Sequence, residues 1–177
     1  VFVRAGDVGL AGGEGPGALD ARTELMVNLE QIRAEAAVRR GLAPDRRTAS
    51  ESVLAVPKVA VVAPPAPYAG LKGEPVPEEA FDILSRVVSM GKTHRAYALT
   101  SAMCLAVAAR VPGTLVHEAA RPGGGDVRLG HPSGVQAVGA EVEAAGGSAR
   151  ARKVIVYRTA RRLMEGAVLV PGSLFTA

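Results

Sequence analysis

Hydrophobic and polar positions divide the chain into several short apolar runs and two stretches with a different spacing. The opening "VFVRA" reads as a buried strand, and the glycine-rich "GDVGLAGGEGPGALD" behind it as a loop. Leu25, Leu29, Ile32 and Ala36 then recur at i, i+4, i+7 and i+11. That spacing predicts an amphipathic helix over about Ala21 to Arg40, with Asp20 as N-cap and Gly41 at C′. "DRRTASESV" is polar and reads as a connection. "PKVAVVAPP" reads as a strand stopped by its prolines, and "YAGLKGEPVPEE" as a loop. "AFDILSRVVSM" reads as a strand with Asp82 and Arg86 on one face.

A second helical stretch runs from about Thr100 to Arg110, with Ala, Met, Cys, Leu and Val on every side. A helix apolar all round is expected to be buried all round. Beyond it, "TLVHEAA" reads as a strand, "RPGGGD" as a turn, "VRLGHPSG" as a strand and turn, and "VQAVGAEVEAA" as a strand. "GGSARA" reads as a turn, and "KVIVYRTARRLMEGAVLVP" as two strands joined by an Arg-rich corner. This order lacks the regular alternation of a doubly wound parallel sheet. It predicts an α+β fold with a mostly antiparallel or mixed sheet rolled around the second helix, and the length allows one large domain or two small ones.

Composition narrows the function classes. Nearly half of the 177 residues are apolar and only 3% are aromatic, so Ala, Val, Leu and Gly must build the core. The net charge of +4 is mild, and the cations fall in scattered pairs such as Arg39-Arg40 and Arg161-Arg162. No aromatics interleave them as a nucleic-acid stacking platform requires, so no nucleic-acid partner is expected. Cys104 is the single cysteine, which excludes an intrachain disulfide and suits a reducing, cytoplasmic compartment. No apolar run approaches the length of about eighteen residues that a membrane span needs. The chain opens on Val1 and directly on a strand, which is read as the start of a fragment or of a processed chain.

"GEGPGA" at Gly13–Ala18 fits G-x-G-x-x-A between a strand and a helix. A dinucleotide site also needs an acidic residue ending a strand about twenty residues on, and here those residues continue a helix. Pro16 also removes an amide, so the stretch is read as a loop. His94, His117 and His131 lack ligand spacing, and no metal is expected. Cys104 inside the apolar helix is read as packing.

The sharpest feature is "SMGKTHRAYALTSAMCLAVAARVPG". Lys92, His94 and Arg95 stand just before a helix whose first-turn amides need partners. Thr100 can cap, and a bound carboxylate could satisfy the other amides while separating the cations from the positive helix end. The alternative is that these cations simply reach out to solvent. "GHPSG" at Gly130–Gly134 offers His131 and Ser133 as donors, or is an ordinary turn between strands.

"SMGKTHRAYALTSAMCLAVAARVPGT", "VRLGHPSGV" and "YRTARRLMEGAVLVP", in that order, resemble the PrpF family of 2-methylaconitate cis–trans isomerases and 4-oxalomesaconate tautomerases. "PKVAVVAPP" and "VFVRAGDVGL" extend the resemblance over essentially the whole chain. It implies a diaminopimelate-epimerase-like half, a sheet rolled around a central helix, with the active site in a cleft between two such halves. This chain looks like the C-terminal half, a single domain over residues 1–177, whose partner is the N-terminal half of the same protein. The catalytic Lys and Cys of the family would lie in that other half, so no catalytic residue is assigned here.

The resemblance implies cofactor-free proton transfer on a small polycarboxylate. In that picture Ser89, Met90, Gly91, Lys92, His94, Thr100 and Ser101 form one wall of the pocket, with His131 and Ser133 as a second patch. Leu99-Thr100-Ser101 stands where related epimerases carry a cysteine, so a two-thiol mechanism is not expected. Two other readings stay open: a non-catalytic binding domain of the same fold, or another epimerase-like enzyme with a different carboxylate substrate. An exposed cleft face would favour a homodimer.

Overall fold

The computed structural model describes residues 1–145 and 148–174. Its centre is the run "VAVVA", strand β2 (Val59–Ala63), buried at every position. A strand covered on both faces loses the polar alternation of a half-exposed one. β2 pairs in parallel with β1 (Phe2–Arg4) and antiparallel with β5 (Ile83–Ser89). The small hairpin of β3 (Tyr68–Ala69) and β4 (Pro75–Val76) stands apart as its own two-stranded sheet. β5 continues in parallel to β7 (Val127–His131), then antiparallel to β8 (Gly134–Ala145) and β9 (Ser148–Val156). β6 (Lys92–Thr93) pairs with β5 off this path and completes a seven-stranded mixed sheet.

Successive residues of β2 and β5 feed two cores. Val59, Val61, Leu84 and Val88 pack with Leu19, Leu25 and Leu29 from α1 (Pro16–Asp20) and α2 (Thr23–Arg39). Ala60, Val62, Ile83 and Val87 face the other way. There they pack with Ala102, Leu105, Ala106 and Ala109 of α4 (Leu99–Ala109) and with Val116 of α5 (Leu115–Ala119). Phe2 of β1 and Val154 and Val156 of β9 join this second core, so both ends of the sheet curl toward it. The result is α+β, as expected. α4 is buried along one side only, and Thr100 and Cys104 are exposed. An all-apolar composition therefore hid an open face, and Cys104 is not core packing.

Other expectations need correction. Asp20 does not cap α2, whose N-cap is Arg22 without a side-chain bond. Pro16 in the first turn begins a separate short helix, and Asp20 ends it. Gly41 does close α2, with φ +69°. Its amide donates to Val38 and that of Leu42 to Ala37, each at 2.9 Å, which is the Schellman pattern. "DRRTASESV" contains a helix, α3 (Arg46–Ser52), capped by Asp45 and held to α2 by the buried Arg33. "TLVHEAA" is α5, capped by Thr114, rather than a strand. The expected last strand is not formed among the described residues. Leu163 and Leu169 are exposed, and a strand pattern without a pairing edge remains only a propensity. "GGSARA" lies partly outside the described residues, and its Ser148–Ala151 portion belongs to β9. No helix among the described residues is long and apolar enough to cross a membrane.

Gly130 on β7 lies against the fully buried ring of Phe81, and a Cβ there would come within 2.9 Å of it. Gly130→Ala should cost about 1–3 kcal/mol through this clash. The cost would appear as a lower urea midpoint at unchanged m; an unchanged midpoint would contradict the packing.

Candidate functional site

"SMGK" is a hairpin. Ser89 pairs with Lys92 across Met90 and Gly91, both at positive φ (53° and 72°). Positive φ at both central positions is the turn that suits the twist of two antiparallel strands. Glycine adopts it freely, whereas Met90 does so at a cost of about 1–3 kcal/mol. Lys92 leaves this turn toward solvent, with its Nζ 3.8 Å from Asp20 Oδ2. Asp20 Oδ1 also accepts the Thr93 amide at 2.9 Å. The carboxylate expected to cap α2 thus ties β6 to α1 and balances Lys92.

From β6 the chain runs to α4 through His94–Ala98. The His94 amide donates to the Val87 carbonyl at 2.8 Å, and the Arg95 carbonyl accepts Ser133 Oγ at 2.6 Å. Tyr97 turns inward, its hydroxyl 2.8 Å from Ser85 Oγ, which in turn donates to the Val61 carbonyl. Burial pushes the Tyr97 hydroxyl pKa well above its ordinary value, so it stays protonated and donates to Ser85. The ring of Tyr97 lies 6.4 Å from that of His131, centroid to centroid.

His131 ends β7 and is 8% exposed. Its Nδ1 lies 3.2 Å from the Ser133 amide. That amide donates, so Nδ1 accepts and the neutral ring carries its proton on Nε2. Burial and the nearby Arg86 guanidinium hold the pKa of His131 down at about 4.

The structure therefore joins two of the expected groups: the segment after "SMGK" and the turn "GHPSG" meet through Arg95, Tyr97, His131 and Ser133. It does not bring Thr100 and Ser101 into that junction. They line a cavity of about 260 Å³ with Phe2, Val56 and Cys104. Thr100 does not cap α4, whose N-cap is Ala98 without a side-chain bond. The first helical bond runs from the Ala102 amide to the Ala98 carbonyl, so the amides of Leu99, Thr100 and Ser101 precede it. His117 bonds the Ala109 carbonyl through Nδ1. No group of residues suited to a metal ion occurs among the described residues. In the glycine-rich loop, the Glu14 carboxylate accepts the Ala11 and Gly12 amides at 2.7 and 2.8 Å and so closes the loop on itself.

Three residues near this junction were not expected from the pattern: Tyr68, Arg86 and Tyr97. Asp82 and Arg86, read as sharing a face, take different partners. Asp82 binds Arg128 at 2.6 Å, while Arg86 is 1% exposed. The available signal was an arginine inside an apolar strand run, which is where a buried, bonded charge is found.

The depressed His131 pKa links pH to stability. The unfolded chain takes up this proton near 6.5 and the folded one only near 4. The stabilisation is therefore complete above about 6.5 and is lost as pH falls through that window, at up to about 1.4 kcal/mol per pH unit. His131→Asn should flatten the pH–stability curve between those values. Parallel curves for the two proteins would refute the assignment.

Comparison with known proteins places this chain in a family. The PrpF protein model matches residues 1–171. A 2-methyl-aconitate isomerase of Shewanella oneidensis is 42% identical over 174 residues, covering 97% of this chain and 43% of the relative. A 3-methylitaconate isomerase of Eubacterium barkeri is 38% identical over 173 residues, or 96% of this chain and 44% of the relative. A crystal structure of methylitaconate-delta-isomerase superposes with a TM-score of 0.85 at 38% identity, over 94% of this chain and 43% of that one. The chain spans less than half the length of these relatives. With the match running from β1 through the residues beyond β9, the chain belongs to the PrpF family.

Proposed function

We propose that this chain is the C-terminal half of a cofactor-independent isomerase. The enzyme would shift or isomerise a C=C bond in an aconitate-type di- or tricarboxylate by proton transfer. The observation that carries the reading is the end-to-end likeness to proteins named as isomerases of methylaconitate and methylitaconate. The reading extends to a fold built like half of a diaminopimelate epimerase, with the other half supplying the catalytic acid and base.

The chemistry sets what this half must contribute. A base takes an allylic proton beside a carboxylate, and the electron pair spreads into that carboxylate and the adjoining double bond. An acid then returns a proton at another carbon, leaving the double bond moved or rotated. Charge grows on the carboxylate between these steps, so donors aimed at it accelerate both. The candidates are Lys92, His94 and the first amides of α4 beside Thr100 and Ser101, with Ser89, Met90 and Gly91 shaping the approach. His131 and Ser133 form the second patch. A His131 that stays neutral keeps Nε2–H as a donor at neutral pH without adding a second cation beside Arg86. Positioned acid–base groups contribute about 10²–10⁴ in rate.

Two measurements test the reading in the full-length protein. Lys92→Ala and Thr100→Ala should each raise KM for 2-methyl-aconitate, taken as the test tricarboxylate, about tenfold, equivalent to about 1.4 kcal/mol. Unchanged kinetics in both variants would sink the assignment of this wall. Thermal-shift titration with trans-aconitate should stabilise the full-length protein more than this chain alone. Stabilisation of neither would favour a non-catalytic domain or a different carboxylate.

A further inference from the structure

The turn Gly130–Gly134 is held far more firmly than its position between two strands requires. A short hairpin closes through its own ladder, and its outward carbonyls ordinarily bond water. Here distant groups take them. Arg86 Nη1 lies 3.3 Å from the Gly130 carbonyl oxygen. The Tyr68 hydroxyl lies 2.7 Å from both the His131 and the Gly134 carbonyl oxygens, so its one proton is shared between them. The Leu71 amide donates to Pro132 at 2.9 Å. From the turn itself, Ser133 Oγ reaches across to the Arg95 carbonyl.

The two clamping side chains are themselves immobilised. The Arg86 guanidinium lies over the Tyr68 ring at 4.9 Å, and it also donates to the Glu14 carbonyl at 2.7 Å and the Ser85 carbonyl at 2.9 Å. Burying a cation and a phenol is unfavourable unless each is bonded and stacked, and an apolar pair could have filled the same space. What the polar pair adds is direction: two rigid groups aimed at three carbonyls of one turn.

We propose that Tyr68 and Arg86 are positioning residues, clamping the 130–134 turn so that His131 and Ser133 meet the substrate in one fixed arrangement. The functional half of this inference rests on the site reading above. The clamp itself does not.

The test uses the full-length protein. Tyr68→Phe keeps the ring over Arg86 and deletes only the hydroxyl. Amide exchange across 131–134 and at Leu71 should quicken about tenfold, and KM for the tricarboxylate should rise about fivefold with a smaller change in kcat. Leu29→Val, a core change on α2 away from the turn, should lower thermal stability without raising KM. Exchange unchanged in Tyr68→Phe would overturn the clamp. Faster exchange with unaltered KM, where His131→Asn does raise KM, would overturn the positioning role. Unaltered KM in Tyr68→Phe, His131→Asn and Ser133→Ala together would overturn the placement of this turn in the site, while faster exchange would still support the clamp.

Discussion

Arg86 is a cation in the middle of a sheet, and the arrangement around it follows from the need to keep it bonded there. Burial disfavours its charged form and lowers its pKa. The compensation comes from carbonyls in three separate segments: the loop at Glu14, its own strand at Ser85 and the turn at Gly130. Tyr68 closes the remaining side with its ring face. Loop, central strand, small hairpin and turn are thereby fixed relative to one another by one side chain. Nη2 of Arg86 is buried without a protein partner among the described residues, a cost that its other bonds must offset.

The same constraint explains why two stretches far apart in sequence form one surface. Gly130 sits flush on the Phe81 ring, so the turn can approach β5 closely enough for Arg86 to reach it. Ser133 then meets the Arg95 carbonyl, and Tyr97 fills the space between Ser85 and the His131 ring. On the other side of that segment, the left-handed pair Met90 and Gly91 turns the chain tightly enough to bring Lys92 to Asp20. An exposed pair of this kind adds little to stability. Its effect is to keep a lysine beside the segment without leaving its charge unbalanced.

The long elements were legible because periodicity is a property of many residues. The "VAVVA" and "ILSRVVS" strands, α2 with its Gly41 terminator and the approximate span of α4 all follow from spacing. The short helices were not, since seven residues of α3 and five of α5 cover too few turns to show a period. Their caps, Asp45 and Thr114, were the readable signal. The open face of α4 was invisible for another reason: Ala, Cys and Thr carry little information about side. In the site, "SMGK" and "GHPSG" stood out as motifs, but Tyr68 was hidden in a proline-rich loop and Arg86 within an apolar run. Residues that act through long-range bonds leave no local pattern.

In the proposed site, donors of the 89–95 segment and of the 131–134 patch, locked together, face one polycarboxylate. A crystal structure of the full-length protein with trans-aconitate bound tests it most directly. Carboxylate oxygens are expected within about 3.2 Å of donors from both segments. A ligand bound with its carboxylates remote from either segment would contradict it.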